Sequence, residues 1–246
     1  MPTVLDFLDD PYRVETEAFV QWRDGNRMVL DRTVFYPGVG ISPSDSGEII
    51  LEDGRRVGVS RSEWDKTKPD VLQHLCGQVP DDLLPGEKVI ARIEWPPRYA
   101  AMRTHTALHL VSIAFPYPVI HGAVHPGWGS VTFEVDNTGI QPDELEKLVQ
   151  ELVDQDLPVE AVWVLPPMRD RRINLRSFIW PASNGQLRAM KIDDIDLQPC
   201  DGLHVRKTAE VGRVRVTGLS RLPGRMYRCD VRLPNGDERQ GGEQST

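Results

Sequence analysis

Two pairs of side chains in the sequence have the types and the spacing that metal binding requires. His105 and His109 stand four residues apart in MRTHTALHLV, and Cys200 and His204 repeat that spacing in CDGLHV. Residues four apart lie one turn apart on the same face of a helix, so both imidazoles can reach one ion. A thiolate combined with imidazoles suits zinc, which prefers four tetrahedral ligands. Together the two pairs predict a site for one zinc ion.

The first pair alone has a simpler interpretation, because two half-buried histidines on a helix need no ion. The second pair favours the metal, since three imidazoles and a thiolate from two separated segments rarely coincide by chance. Pro199 and Gly202 favour a turn around Cys200 and not the middle of a helix. Such a turn is consistent with a loop that wraps around an ion.

The other histidines and cysteines are not expected to bind this ion. His121 and His125 share the spacing, but the glycines and prolines around them argue against a helix, so we expect loop histidines. His74 and Cys76 have no second ligand pair and are expected to form a packed or exposed local pair. Cys229 alternates into MYRCDVRL and is expected to be a buried strand cysteine.

The predicted secondary structure changes near residue 95, from short strands to a mixture of helices and strands. Up to that point short strands alternate with glycine and proline turns, and GEIILEDGRRVGV predicts a hairpin around Asp53 and Gly54. Residues 1–95 therefore predict a small β-barrel or sandwich.

The rest of the chain predicts helices on an antiparallel sheet. Apolar positions from Arg98 to Ala114 have helical spacing, and Pro142 opens a second helix with acidic residues in its first turn. Strands are predicted in VTFEV, VEAVWVLP, LRAMKI, GRVRVTGLS and MYRCDVRLP. The predicted class is α+β: an N-terminal β-barrel followed by a two-layer α+β domain over residues 96–246.

Composition is that of an ordinary globular protein, with 39% hydrophobic and 27% charged residues. No apolar run is long enough to cross a bilayer, and the three widely separated cysteines suit a reducing compartment, so we expect a cytoplasmic location. The net charge is −8, but the stretch from His204 to Arg232 is rich in arginine. It forms either a phosphate-binding face or a set of solvated strand faces.

HTALHL, taken with QPCDGLHV, resembles the zinc-binding motifs of the alanyl-tRNA editing proteins, the free-standing relatives of the editing domain of alanyl-tRNA synthetase. The resemblance continues through LDRTVFYPGVGISPSDSG and IDDIDLQPCDGLHVRKTAEVGRVRV. It implies zinc ligands at His105, His109, Cys200 and His204. The implied activity is hydrolysis of the ester bond at the acceptor end of a misacylated tRNA, an alanine tRNA charged with serine or glycine.

Further residues are expected near the site. Asp201, beside the ion, is the candidate catalytic residue; its alternatives are an orienting group and an exposed turn residue. The candidates for substrate or tRNA contact are Arg103, Thr106, Gly40, Ser42 and Arg206. Additional arginines considered for tRNA contact are Arg98, Arg169, Arg171, Arg172 and Arg176.

The sequence departs from the family pattern at the expected site. Where the family has glycines, the segment Gly38–Ser42 carries Val39 and Ile41; Asp201 replaces another glycine, and Leu203 replaces a threonine. An apolar pocket distinguishes substrates by only about 1–3 kcal/mol, so these losses suggest a shifted specificity. Two alternatives stay open: a zinc-braced tRNA-binding module without turnover, and a hydrolase acting on another aminoacyl ester.

Overall fold

The computed structural model describes residues 2–137, 139–165 and 185–234. The chain divides into two compact units, Met1–Tyr99 and Ala100–Thr246. The boundary predicted at residues 95 and 96 coincides with the start of helix α2 (Trp95–Ala114), and the observed division falls inside that helix. Within the described residues, no helix is both long and apolar enough to cross a membrane.

Alternating apolar and polar residues build the first unit. In its longest strand Thr16, Ala18 and Val20 are buried, whereas Glu15 and Glu17 are exposed, which is the period of two expected for a sheet with one buried face. Six antiparallel strands close into a barrel, so the predicted β-barrel is confirmed. In barrel order they are β2 (Glu15–Asp24), β3 (Arg27–Leu30), β7 (Leu72–Cys76), β6 (Arg56–Trp64), β5 (Gly47–Leu51) and β8 (Lys88–Ile93).

The predicted hairpin joins β5 to β6. Gly54 has φ of +86°, a conformation that glycine adopts without steric cost, and the strands pair with Ile50 opposite Arg56. The remaining elements of this unit are short: β1 (Val4–Leu5), α1 (Asp6–Asp9) and β4 (Arg32–Thr33). β1 pairs with β4 in parallel.

The second unit contains most of α2, the helix α3 (Pro142–Asp154) and two antiparallel sheets. The four-stranded sheet has the order β14 (Arg215–Leu222), β15 (Met226–Arg232), β10 (Trp128–Glu134) and β9 (Val119–His125). The three-stranded sheet has the order β11 (Val159–Val164), β12 (Leu187–Ile192) and β13 (Asp196–Pro199). Helices with antiparallel sheets confirm the α+β class.

Two strands of this unit were not predicted. β9 contains both His121 and His125, so the expectation that they lie in a loop is wrong, although they are indeed not helical. Gly122 sits inside this strand, and only the following Pro126 and Gly127 form the turn to β10. β13 was not predicted because its sequence, DLQP, is partly polar. All four of its residues are nevertheless buried.

Helix α2 packs directly on the four-stranded sheet. At Gly129 a side chain would collide with the side chains of Thr104 and Leu108, so β10 approaches the helix closely there. The rings of Phe115 and Phe133 meet edge to face at 4.9 Å. This close packing fixes the helix that carries the first pair of predicted metal ligands.

Candidate metal centre

The first two predicted ligands lie on α2 as the spacing requires. His105 and His109 are one turn apart on the buried side of the helix, and their ring centroids are 5.3 Å apart. The helix alone therefore supplies two adjacent imidazoles.

The other two predicted ligands lie on the segment Cys200–Val205, here called the ligand loop, which directly follows β13. At its start the backbone N–H of Cys200 donates to the carbonyl of Arg188 at 3.1 Å. Just beyond its end the N–H of Val159 donates to the carbonyl of Arg206 at 2.8 Å. The ligand loop has no regular secondary structure, but neighbouring strands hold both of its ends.

The two segments converge, and the four predicted ligands meet. Cys200 Sγ lies 3.5 Å from His105 Nε2 and 3.3 Å from His204 Nε2. The ring of His204 is centred 4.2 Å from that of His105 and 4.7 Å from that of His109. One ligand atom from each of the four residues lies within 4.8 Å of all the others. This group could hold a metal ion.

The donor set fits a tetrahedral cation of zinc's size. Zinc–nitrogen and zinc–sulfur bonds of about 2.0–2.3 Å place tetrahedral ligands about 3.3–3.8 Å apart, which the sulfur–nitrogen distances match. In addition, His109 Nδ1 is buried and has no hydrogen-bond partner among the described residues. A buried polar atom without a partner carries an energetic cost, which a bound cation near this ring would help to offset.

Burial controls the protonation of all four groups. It lowers the pKa of His109 to about 4, and, together with neighbouring positive charges, lowers the pKa of His105 and His204 well below the ordinary value. Burial also raises the pKa of the Cys200 thiol to about 11, which Arg188 partly opposes. Without a cation the imidazoles are neutral and the thiol keeps its proton, so a metal ion must displace that proton on binding.

Position 202 has room only for glycine, because its backbone lies against a predicted metal ligand. A Cβ at this position would overlap the imidazole ring of His105, so the backbone of the ligand loop lies directly against that ring. This packing presses the loop onto the helix and holds the His105 ring in place.

Arg188 is a site residue that the sequence reasoning missed. It lies on β12, is 5% exposed, and its Nη1 donates to the carbonyls of Cys200 at 2.8 Å and Gly202 at 2.7 Å. The guanidinium therefore fastens the ligand loop to β12, and its charge partly opposes the rise in pKa that burial causes at Cys200 and Asp201. Its sequence signal was an arginine among the apolar residues of LRAMKI.

Thr106 and Arg103 are both occupied by contacts within the protein. Thr106 is fully buried, and its hydroxyl lies 3.1 Å from Nδ1 of His204. Arg103 is half-buried, and its Nε and Nη2 donate to the carbonyl of Val211 at 3.1 and 2.8 Å. Each residue was predicted to contact substrate or tRNA, and each connects α2 to the chain that follows β13.

Asp201 and Arg206 lie at the edge of this group. Asp201 is half-buried directly after Cys200, and burial raises the pKa of its carboxyl group while Arg188 opposes that shift. Arg206 is exposed, and its backbone N–H donates to Glu210 Oε1 at 3.0 Å. Both positions leave the side chains partly accessible to solvent.

Gly40 and Ser42 lie in the first unit, in the loop between β4 and β5. Gly38 and Gly40 have positive φ values of +71° and +61°, whereas Val39 and Ile41 do not. The two glycines of this segment thus occupy positions whose backbone conformation favours glycine. The N–H of Ser42 donates to the carbonyl of Val39 at 3.2 Å, which closes a tight turn.

Asp45, in the same loop, forms a buried ion pair with Arg98 of α2. Asp45 accepts a hydrogen bond from the N–H of Tyr36 at 2.7 Å and is paired with Arg98, whose side chain is 3% exposed. Arg98 also donates to the carbonyls of Pro11 and Val34. These contacts bury the guanidinium inside the first unit, which argues against the expected contact between Arg98 and tRNA.

Several arginines of the arginine-rich stretch near the C-terminus are paired with carboxylates. Arg213 and Arg215 both pair with Glu146 of α3, at 2.8 and 2.9 Å. Arg228 pairs with Asp230 at 2.7 Å. The remaining arginines considered for tRNA contact lie outside the described residues: Arg169, Arg171, Arg172 and Arg176.

The chain is similar over most of its length to alanyl-tRNA editing proteins. It is 30% identical over 220 residues to the alanyl-tRNA editing protein AlaX-M of Saccharolobus solfataricus, covering 85% of this chain and 89% of that protein. It is also 30% identical over 236 residues to the AlaX-M protein of Methanosarcina barkeri, covering 89% of this chain and 93% of that protein. The chain belongs to the alanyl-tRNA editing protein family.

The family likeness extends to larger enzymes. The alanine–tRNA ligase of Methanobrevibacter smithii is 29% identical over 239 residues, which cover 92% of this chain but 26% of the ligase. The chain therefore spans about a quarter of the length of the ligases that it matches. No protein-family model matches the chain.

Proposed function

We propose that this protein is a zinc-dependent hydrolase that removes amino acids from misacylated tRNA and so contributes to the fidelity of translation. The observation that carries the proposal is the convergence of His105, His109, Cys200 and His204 from two distant segments into one buried group. Membership in the alanyl-tRNA editing family supports the tRNA substrate. Serine- or glycine-charged alanine tRNA is the proposed substrate class, with the aminoacylated acceptor end placed at the metal centre in the domain of residues 96–246.

In this proposal one zinc ion, when bound, polarises the ester carbonyl or holds the amino group of the aminoacyl moiety. Water attacks the carbonyl carbon, the bond to the ribose oxygen breaks, and that oxygen takes up the proton. Asp201 is the proposed base that accepts the proton from the attacking water, because it directly follows a ligand and is half-buried. Arg188 holds the ligand loop so that Asp201 and Cys200 keep their relative positions.

Because several arginines are paired with carboxylates, we propose few of them as tRNA contacts. Arg206, exposed beside the ligand loop, is the candidate phosphate contact in the second unit. Gly40 and Ser42, in the first unit, stay candidates for substrate or tRNA contact. Since Leu203 is buried where the family pattern has a threonine, we propose that preference among aminoacyl groups is shifted.

A second candidate function is a tRNA-binding module in which zinc only braces the fold. Four protein ligands that are each at most 8% exposed favour it, because such closed tetrahedral shells are typical of structural zinc. Under this alternative the Asp201 carboxylate has no role in turnover. The two functions therefore differ in what a change at Asp201 does.

Metal analysis of the purified protein combined with deacylation of charged tRNAs tests the proposal. We expect about one zinc per chain, and Asp201→Asn should keep the metal while slowing deacylation about 100-fold or more. Cys200→Ala should lose the metal, whereas His121→Ala, which changes the exposed histidine with the same spacing on β9, should not. A panel including serine-, glycine- and alanine-charged tRNA identifies the substrate.

Three results would decide against the proposal. Absence of bound metal in the unaltered protein excludes the metal centre. Metal without deacylation of any charged tRNA favours the structural zinc. Turnover that is insensitive to salt indicates a small aminoacyl ester as the substrate, since tRNA binding weakens steeply as salt rises.

A further inference from the structure

Thr106 links the helix that carries two ligands to the loop that carries the other two. It lies on α2 next to His105 and is 0% exposed. Its Oγ1 is 3.1 Å from the carbonyl of Met102, 3.1 Å from Nδ1 of His204 and 3.4 Å from the backbone nitrogen of Val205. One hydroxyl group thus has three polar neighbours, two of which belong to the ligand loop.

One assignment of hydrogens satisfies all three contacts together. A hydroxyl donates once and accepts twice. The N–H of Val205 can only donate, and the carbonyl of Met102 can only accept, so the hydroxyl hydrogen points to Met102 in the bond usual for helical threonine. In that arrangement the second lone pair accepts the hydrogen on Nδ1 of His204, at 3.1 Å.

This arrangement selects one tautomer of His204. With the hydrogen on Nδ1, the lone pair is on Nε2, the atom 3.3 Å from Cys200 Sγ. That is the atom that faces the other ligands and that a metal ion would need. Since metal-binding histidines commonly have their second nitrogen held by a polar group, the geometry matches a known requirement of metal sites.

We infer that Thr106 is a positioning residue that holds His204 in the tautomer and ring orientation that bind the metal; this rests on the metal centre of the proposed function. His204 needs such a tether more than the other imidazoles, because it lies on a loop and they lie on a helix. The hydroxyl has no capacity left for another ligand, so Thr106 acts through His204 and not on the substrate.

The chain offers a matched control on the same helix. Thr104 is also 0% exposed, its hydroxyl donates to the carbonyl of Ala100 at 2.9 Å, and it accepts from the N–H of Gly127 at 3.1 Å. It therefore loses the same kinds of hydrogen bond when changed to valine but has no hydrogen bond to a predicted ligand. A difference between the two variants reports on the contact with His204.

The experiment measures zinc affinity of the full chain by competition with a chromophoric chelator. Thr106→Val should bind zinc about 10–100-fold more weakly than the unaltered protein. Thr106→Ser, which keeps the hydroxyl, and Thr104→Val should both stay close to the unaltered protein. Cobalt substitution gives a second readout, because a displaced imidazole should alter the visible absorption of the bound ion in Thr106→Val alone.

The outcomes separate this inference from the proposed function. If Thr106→Val binds zinc as tightly as Thr104→Val and gives the same cobalt spectrum, the positioning role is refuted while the metal centre stands. If the unaltered protein binds no metal, the metal centre itself is refuted, and the positioning role falls with it. Thr106→Ala, which also lacks the hydroxyl, provides the same comparison if the valine variant does not fold.

Discussion

Removing Arg98 from its buried ion pair with Asp45 should destabilise the first unit strongly. The two side chains are 6% and 3% exposed, and the arginine also satisfies the carbonyls of Pro11 and Val34. Changing Arg98 to methionine keeps much of the side-chain volume but leaves the Asp45 carboxylate buried without its cation. Two backbone carbonyls lose a donor at the same time.

Removal of one partner from a buried pair costs about 3–5 kcal/mol, because the remaining charge is uncompensated. Arg92 provides the comparison: it lies in the same unit and pairs with Glu15 at 2.8 Å, but the two side chains are 41% and 50% exposed. An exposed pair of this kind contributes about 0–1 kcal/mol. The two arginine-to-methionine changes should therefore differ by several kcal/mol.

Urea denaturation of both variants measures this difference in the free energy of unfolding. Adding Asp45→Asn to Arg98→Met should restore part of the loss, since the amide oxygen can still accept the N–H of Tyr36 while the buried charge is gone. Equal midpoints for the Arg98 and Arg92 variants would refute the reasoning. A double variant less stable than Arg98→Met would show that the buried charge is not the source of the cost.

Three further changes have defined outcomes. His74 is 0% exposed, and burial lowers its pKa from 6.5 to about 4. The free energy of unfolding should therefore be highest above pH 6.5, where the imidazole is neutral in both states, and should fall by up to about 3 kcal/mol towards pH 4. Unfolding measured at several pH values should show less of this dependence in His74→Gln. Gly202→Ala should abolish zinc binding, because its Cβ overlaps the His105 ring, whereas Gly58→Ala, which meets no atom within 4 Å, should leave binding unchanged in the same chelator titration. Chelation of the metal should lower the melting temperature of the unaltered protein but not that of Cys200→Ala, and equal shifts in calorimetry would contradict the metal centre.

Short-range sequence patterns account for much of the fold. The alternation of buried and exposed residues in ETEAFVQ determines a strand with one face in a core, and the barrel follows from several such strands. Pro142 and the acidic first turn mark the start of α3. These signals can be read from the sequence because each depends on residues within a few positions of one another. The strands β9 and β13 escaped detection since their composition, with glycine or polar residues, is overridden by burial against neighbours.

The spacing in HTALHL and CDGLHV by itself determined which side chains are available as ligands. It could not determine that the two segments meet, because convergence depends on where β13 and α2 end up in the folded unit. The tertiary structure alone decided that Arg188 fastens the ligand loop and that Gly202 lies against the His105 ring. It also decided that the hydroxyl of Thr106 faces His204 across 98 positions of sequence. Hydrogen bonds and close packing between distant residues require both partners to be placed, and no local pattern contains that information.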